Sequence, residues 1–278
     1  MKTVKHTLTS NYMKYVAAVM AAAPLLASTS VKADAPPVTE EETPFVTGTL
    51  SLMVDTHFVS YGFDVWGAGE NWDDPLFHPM LELNFDLGEG FKGILGTWWD
   101  VNNNQDTDAT SIGNNKIQEV DVWAGVGYSM GDWSFTALYQ EWMFAGQSER
   151  IVDLKAGYAH FLNPSLTLHF RVDNDLGLDN GLATVLGIAP GTSWEDISFS
   201  FPVNVAFETD GFHGGDSGWS FASVGASASV PLKFIPKGDW TFSAGLTYYF
   251  TSEDVIPSNA INGEENFLTG TAGVVLTF

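Results

Sequence analysis

Leu81-Glu82-Leu83-Asn84-Phe85-Asp86-Leu87 is the stretch that decides the fold class. Apolar and polar residues alternate through it without a break, and a period of two belongs to a β-strand with one greasy and one wet face. The same alternation runs through 166–173, where Leu166, Leu168, Phe170 and Val172 interleave with Thr167, His169, Arg171 and Asp173. It recurs at 50–58, with Leu50, Leu52, Val54 and Phe58 set against Ser51, Met53, Asp55 and His57. From Ile197 to Glu208 it appears a fourth time, with Pro202 among the polar positions.

Working outward from these stretches, nothing after residue 46 has a helical period, and no apolar run reaches the 18 residues of a membrane helix. Twelve strands are expected: 47–60, 78–88, 91–101, 117–130, 133–144, 150–161, 165–174, 181–190, 196–208, 218–231, 239–251 and 266–278. The weakest is 181–190. Pro79, Pro202 and Pro231 are expected at bulges or strand ends, because Pro cannot donate to a ladder paired on both sides.

A soluble two-sheet sandwich also alternates, so the alternation needs arbitration. Most of the strands reach the roughly 9 to 11 residues that cross a bilayer at a tilt, longer than the about 5 to 6 usual in soluble sheets. Aromatics gather at strand ends: Trp133, Phe161, Phe234 and Trp240 beside short turns, and Tyr61, Trp98, Trp99, Trp142, Phe144, Tyr249 and Phe250 beside long loops. Two such belts are what two membrane interfaces require. Connections also alternate between long and tight, as in 61–77, 88–90, 102–116 and 130–132, with a modest 145–149 followed by a tight 162–165. A repeated phrase checks the count. Gly131-Asp-Trp-Ser-Phe-Thr-Ala137 returns as Gly238-Asp-Trp-Thr-Phe-Ser-Ala244, so both strands rise from the same side and an even number of places, six, separates them. The expected fold class is therefore all-β, a closed antiparallel transmembrane β-barrel.

The first segment reads as an export signal. Lys2, Lys5 and Lys14 precede an apolar run from Tyr15 to Ala27, and Val31-Lys32-Ala33 supplies a small-residue cleavage pattern. Residues 1–33 are thus expected to be a signal peptide, 34–46 a flexible periplasmic lead-in and 47–278 the barrel. Past residue 33, 34 acids face seven bases, a formal charge of −27. That imbalance excludes nucleic acid as a partner, since phosphate binding needs clustered Lys and Arg. The chain has no cysteine, which excludes disulfides and thiolate metal sites. At the C-terminus Leu268, Gly270, Ala272, Val274, Leu276 and Phe278 share one face, and the terminal Phe278 resembles the targeting signal of outer-membrane barrels, read by the barrel assembly machinery.

With the apolar faces on lipid, the lumen is lined by Asp55, His57, Glu82, Asp86, Lys92, Asp100, Glu119, Asp121, Asp153, Lys155, His169, Arg171, Asp173 and Glu208. The acids outnumber Lys92, Lys155 and Arg171 threefold, and an unpaired buried charge costs several kcal/mol. Water and mobile cations in the lumen meet that cost, which points to a diffusion channel that prefers cations. The competing reading is a plugged barrel whose charges are internal partners, since twelve strands fall between the filled barrels of about 8 and the aqueous ones of 16 to 18.

Other chemistries are weaker. Asp100, Asn102, Asn104, Asp106 and Asp108 alternate as in a calcium loop, but Gln105 and Ser111 stand where an EF-hand needs Gly and Glu. The loop residues Trp66, Trp72, Asp73 and Asp74 suit either sugar binding or a fold over the mouth. A membrane lipid hydrolase needs an activated nucleophile; His57 and Ser60 are near each other only in sequence, so no enzyme, cofactor or metal is expected.

Asp55-Thr-His-Phe-Val-Ser-Tyr61-Gly62, Gly96-Thr-Trp98-Trp99-Asp100 and Glu119-Val-Asp121-Val-Trp-Ala-Gly125-Val-Gly127-Tyr128 together resemble the TorF porin family over about residues 47–161. The resemblance implies a porin-like outer-membrane barrel without naming a solute. Tyr61 departs from the family, which carries Arg at that place, and so removes a cation from the pore mouth. The expected partners are outer-membrane lipid, the barrel assembly machinery and small solutes. A soluble carbohydrate-binding sandwich is the non-membrane alternative.

Overall fold

A computed structural model describes residues 44–65, 72–102, 116–144, 146–261, 263 and 265–278. The expected signal peptide and nearly all of the lead-in lie outside the described residues, as do Trp66 and the run 103–115 that holds most of the calcium-like loop.

In chain order the elements are β1 (Val46–Asp55), β2 (Val59–Ser60), β3 (Phe63–Asp64), β4 (Leu76–Gly88), β5 (Phe91–Val101), β6 (Ile117–Met130), β7 (Trp133–Phe144) and β8 (Gln147–Tyr158). They continue as β9 (Ser165–Asn174), β10 (Gly181–Ile188), β11 (Gly191–Trp194), β12 (Ile197–Ser200), β13 (Val203–Glu208), β14 (Gly218–Pro231), β15 (Asp239–Thr251), α1 (Pro257–Ile261) and β16 (Asn266–Thr277). Every pairing is antiparallel, β1 pairs with β16, and the β14–β15 ladder completes the ring. The barrel has twelve staves, because β10 with β11 forms the eighth, β12 with β13 the ninth, and β2–β3 is a separate hairpin. Closure pairs the staves around the ring, as a lipid environment demands, and among the described strands of the ring the short β11 pairs with β12 alone. β7 and β15 are the fifth and eleventh staves, six places apart as the repeated phrase requires.

The start of β1, the C-terminus and the turns at Glu89–Gly90 and Gly131–Asp132 lie at one end of the barrel, here the turn end; residues 56–65, 72–75, 209–217 and 252–261 lie at the other, the loop end. The weak strand 181–190 is real and longer than expected, running on through Pro190 to Trp194. Conversely, the first strand stops at Asp55, not at residue 60. Thr56 makes the last rung with Gly270 through its amide (2.9 Å) and hydroxyl (2.8 Å), and the chain then turns into the barrel.

The three prolines divide. Pro202 separates β12 from β13 and Pro231 ends β14, as expected. Pro79 sits inside β4 without a bulge: it faces Leu52 of β1, while pairing with β5 lapses at His78 and Pro79 and resumes in the same register. Proline's missing donor is thus absorbed on one side only.

Candidate functional site in the lumen

Register fixes which side chains meet inside. Asp100 lies opposite Glu119, Asp121 opposite Trp142, Trp142 opposite Glu149, and Asp153 opposite His169. All seven of these are buried, while Leu95, Val122, Val126, Tyr139 and Leu154 on the other faces of the strands are exposed. A polar inside and an apolar outside is the reverse of a soluble core. The chain is a transmembrane-type β-barrel.

The two halves of its lumen differ. Towards the turn end, Thr49, Ser51, Thr136, Thr167, Ser227 and Thr241 face inward and are half-buried, so small hydroxyl side chains leave the wall within reach of solvent. Towards the loop end the inward groups are almost wholly buried, and the β2–β3 hairpin accounts for this. Its Phe58 packs on Trp98 of β5 (4.9 Å between ring centres), Tyr61 on His169 of β9 (4.0 Å) and Phe63 on His213 of the 209–217 loop (5.7 Å). Phe221 of β14 fills the space beside Gly62 that a side chain would need. The third, seventh and tenth staves are therefore all touched by one hairpin, which crosses the lumen.

The hairpin turns on Tyr61 (φ 45°) and Gly62 (φ 87°), the two left-handed residues of a tight two-residue connection. A bulky tyrosine there is strained, a cost that its contact with His169 offsets. Burial, reinforced by the Asp153 carboxylate, raises the Tyr61 phenol well above its ordinary range, so it stays neutral. From α1, the buried Asn259 side chain donates to the Gly62 carbonyl (2.7 Å) and accepts from the Asp64 amide (3.0 Å), pinning the hairpin.

Most of the expected lumen residues come together around this hairpin. His78 places one ring nitrogen on Asp55 (2.7 Å) and the other on Asp100 (3.2 Å), an arrangement that an imidazolium satisfies on both sides. Asp100 also accepts from Asn102 (2.8 Å). Asp153 holds His169 (2.6 Å) and Lys155 (3.1 Å), and Glu208 holds His213 (2.7 Å). Arg171 pairs with Glu149 (2.8 Å), donates to the carbonyl of Phe212 (2.6 Å), and lies over the Phe212 ring (4.2 Å). His57 is buried, bonded to Thr56 (2.8 Å) and stacked on Phe267. In contrast, both oxygens of Asp121 and Oε1 of Glu119 have no hydrogen-bond partner among the described residues.

Lower in the barrel, Glu82 accepts from Trp123 (3.1 Å) and Asn84 (3.2 Å), with the indole lying where a side chain on Gly96 would collide with it. Lys92 lays its stem over Gly127. Asp86 is exposed at the turn-end rim, where it accepts from the Gly88 amide (2.9 Å), so it caps a turn rather than lining the interior.

Asp173 is the clear exception. A register shift between Arg150 and Ile151 pairs Arg150 with Asp173 and Ile151 with Arg171, leaving Val172 as the extra residue and turning Asp173 to the outside. There it forms an exposed ion pair with Arg150, which also approaches Glu141 (3.6 Å). Glu149 takes its place inside. β8 begins at Gln147 rather than 150, so Glu149 shares the inward face of Asp153, a parity that was already visible once that start is known.

The aromatic belt beside the long loops also needs correcting. Tyr61, Trp98, Trp142 and Tyr249 point into the lumen, Trp142 with no exposure at all, and Phe144 packs against the same buried cluster. The outward aromatics at that end include Trp99 and Phe250, joined by Phe77, Phe207, Trp219 and Tyr248.

No family model and no curated relative matches the chain. Among solved structures, a bacterial polysaccharide outer membrane secretin matches with 10% identity and a TM-score of 0.43, over 84% of this chain and 98% of that one. The β domain of the Bordetella autotransporter BrkA matches with 13% identity and 0.39, over 84% and 98%. A porin matches with 9% identity and 0.36, over 84% and 99%.

Proposed function

We propose that this chain is a porin-like channel of the bacterial outer membrane, through which small solutes diffuse passively with cations ahead of anions. Export across the inner membrane precedes insertion, and the barrel assembly machinery reads the last strand with Phe278. The observation that carries the reading is the wall itself. Eight acids face inward on the staves, namely Asp55, Glu82, Asp100, Glu119, Asp121, Glu149, Asp153 and Glu208, against Lys92, Lys155 and Arg171. Both oxygens of Asp121 and Oε1 of Glu119, buried without a partner among the described residues, are served by water or a passing cation.

One observation favours a second reading, a plugged barrel: the β2–β3 hairpin reaches three separated staves. Purified protein in a planar bilayer under a salt gradient separates the two. The channel reading expects discrete conductance steps and a cation-selective reversal potential. Silence from folded, inserted protein would favour the plug. In a conducting barrel, Glu119→Gln with Asp121→Asn moves the reversal potential towards zero; an unchanged potential would remove these carboxylates from the selectivity step.

A further inference from the structure

We infer that the β2–β3 hairpin is an acid-released latch: Tyr61 stays seated while His169 is neutral, and a proton on that imidazole lets the hairpin swing away from β9. The seating stands on the fold alone, and its effect as a gate rests on the channel reading above. Tyr61 lies on the His169 ring at 4.0 Å between centres, with Trp142 (5.2 Å) and Phe212 (5.9 Å) flanking the same ring. The histidine is 1% exposed. Its Nδ1 meets Oδ1 of Asp153 at 2.6 Å, whereas Nε2 is buried with no hydrogen-bond partner among the described residues. A neutral imidazole that donates through Nδ1 and keeps a lone pair on Nε2 fits this pocket at the least cost.

The charged groups facing the ring are Asp153 and Lys155 from β8 and Arg171 from its own strand. The hairpin brings the Tyr61 phenol, β7 and the 209–217 loop bring only the Trp142 and Phe212 rings, and β10 places Ala183 opposite. Asp153 also holds Lys155 (3.1 Å), and Arg171 is matched by Glu149 (2.8 Å). With the imidazole neutral, these two carboxylates and two cations balance. A proton on Nε2 sets three cations against the same two carboxylates and buries an N–H among aromatic rings with no acceptor. Both effects are costly in an interior, and both are relieved by water once Tyr61 leaves. The proton therefore binds better to the unseated state, so acidification shifts the hairpin towards it. His78, which touches Phe58 of the hairpin (5.3 Å), behaves differently because carboxylates sit on both of its nitrogens, and its imidazolium is already satisfied in place.

The test reads the seating directly. Ser60 beside Tyr61 is fully buried, so Ser60→Cys in the folded, detergent-extracted barrel reacts with a small hydrophilic maleimide only when the hairpin lifts. Its rate is divided by that of Thr241→Cys on the lumen wall, which cancels the thiol's own response to pH. Between about pH 8 and pH 5, the range in which an ordinary histidine changes charge, the ratio should rise roughly tenfold. In the His169→Gln background, where nothing at that position titrates, it should stay flat. A full rise in that background would overturn the latch, and so would a wild-type ratio that falls on acidification, because the imidazolium would then be gripping the Tyr61 ring. Heat-modifiable gel migration reports the folding of each variant. Should His169→Gln not fold, Lys155→Gln decides: it leaves Asp153 to the imidazolium alone and should shrink the rise, whereas an undiminished rise would overturn the latch. Conductance is read separately. A barrel that is silent in planar bilayers yet shows the acid-dependent labelling would end the channel reading and leave the latch standing.

Discussion

Arg171 concentrates more of the buried chemistry than any other side chain in the lumen. It neutralises Glu149, donates to the Phe212 carbonyl and lies over the Phe212 ring, tying β8, β9 and the 209–217 loop together. Removing one member of a buried pair strands the other charge, at a cost of about 3 to 5 kcal/mol. Arg171→Ala should therefore lower the urea midpoint of the folded barrel strongly, while Arg171→Met with Glu149→Gln, which strands no charge, should lower it much less. Similar losses in the two variants would show that the pair's charge balance contributes little. Arg171 was legible from its alternating stretch, and so were Asp153 and His169. Asp173 was misread two residues further on because a single extra residue, Val172, inverts the face, and no feature of Arg171-Val172-Asp173 announces a bulge.

Among the elements, β2–β3 is the hairpin that crosses the lumen. Its apolar side chains Phe58, Tyr61 and Phe63 read in sequence as the end of a strand and a loop, and alternation gives no sign that the chain folds inward, since that depends on rings supplied by β5, β9 and the 209–217 loop. For the same reason Trp98 and Trp142 looked like interface aromatics: a girdle and a plug both place rings near strand ends, and only register separates them. Asn259→Ala removes the bonds that hold the turn. It should lengthen open times or raise conductance in planar bilayers, and replacing 58–64 with a short Gly-Ser link should raise conductance further. If conductance is unchanged in both, the hairpin does not limit the path.

At the scale of the molecule, the strand count and the closed antiparallel ring followed from sequence because a period of two is local and a repeated turn fixes parity. What fills the barrel was not legible, since the contents depend on contacts between residues about 200 apart, such as Asn259 with Gly62. The account as a whole depends on which way the two faces of each stave look. The chain has no cysteine, so every reactive thiol will be one that is introduced. The most direct measurement is labelling of single-cysteine variants along β15 and β16, in intact proteoliposomes, by a small hydrophilic maleimide. Thr241→Cys, Thr247→Cys and Thr271→Cys should react, whereas Phe242→Cys, Leu246→Cys and Leu268→Cys should be protected by lipid. Equal labelling of both sets, or reaction confined to the Phe242, Leu246 and Leu268 positions, would contradict a barrel with its apolar faces on the membrane.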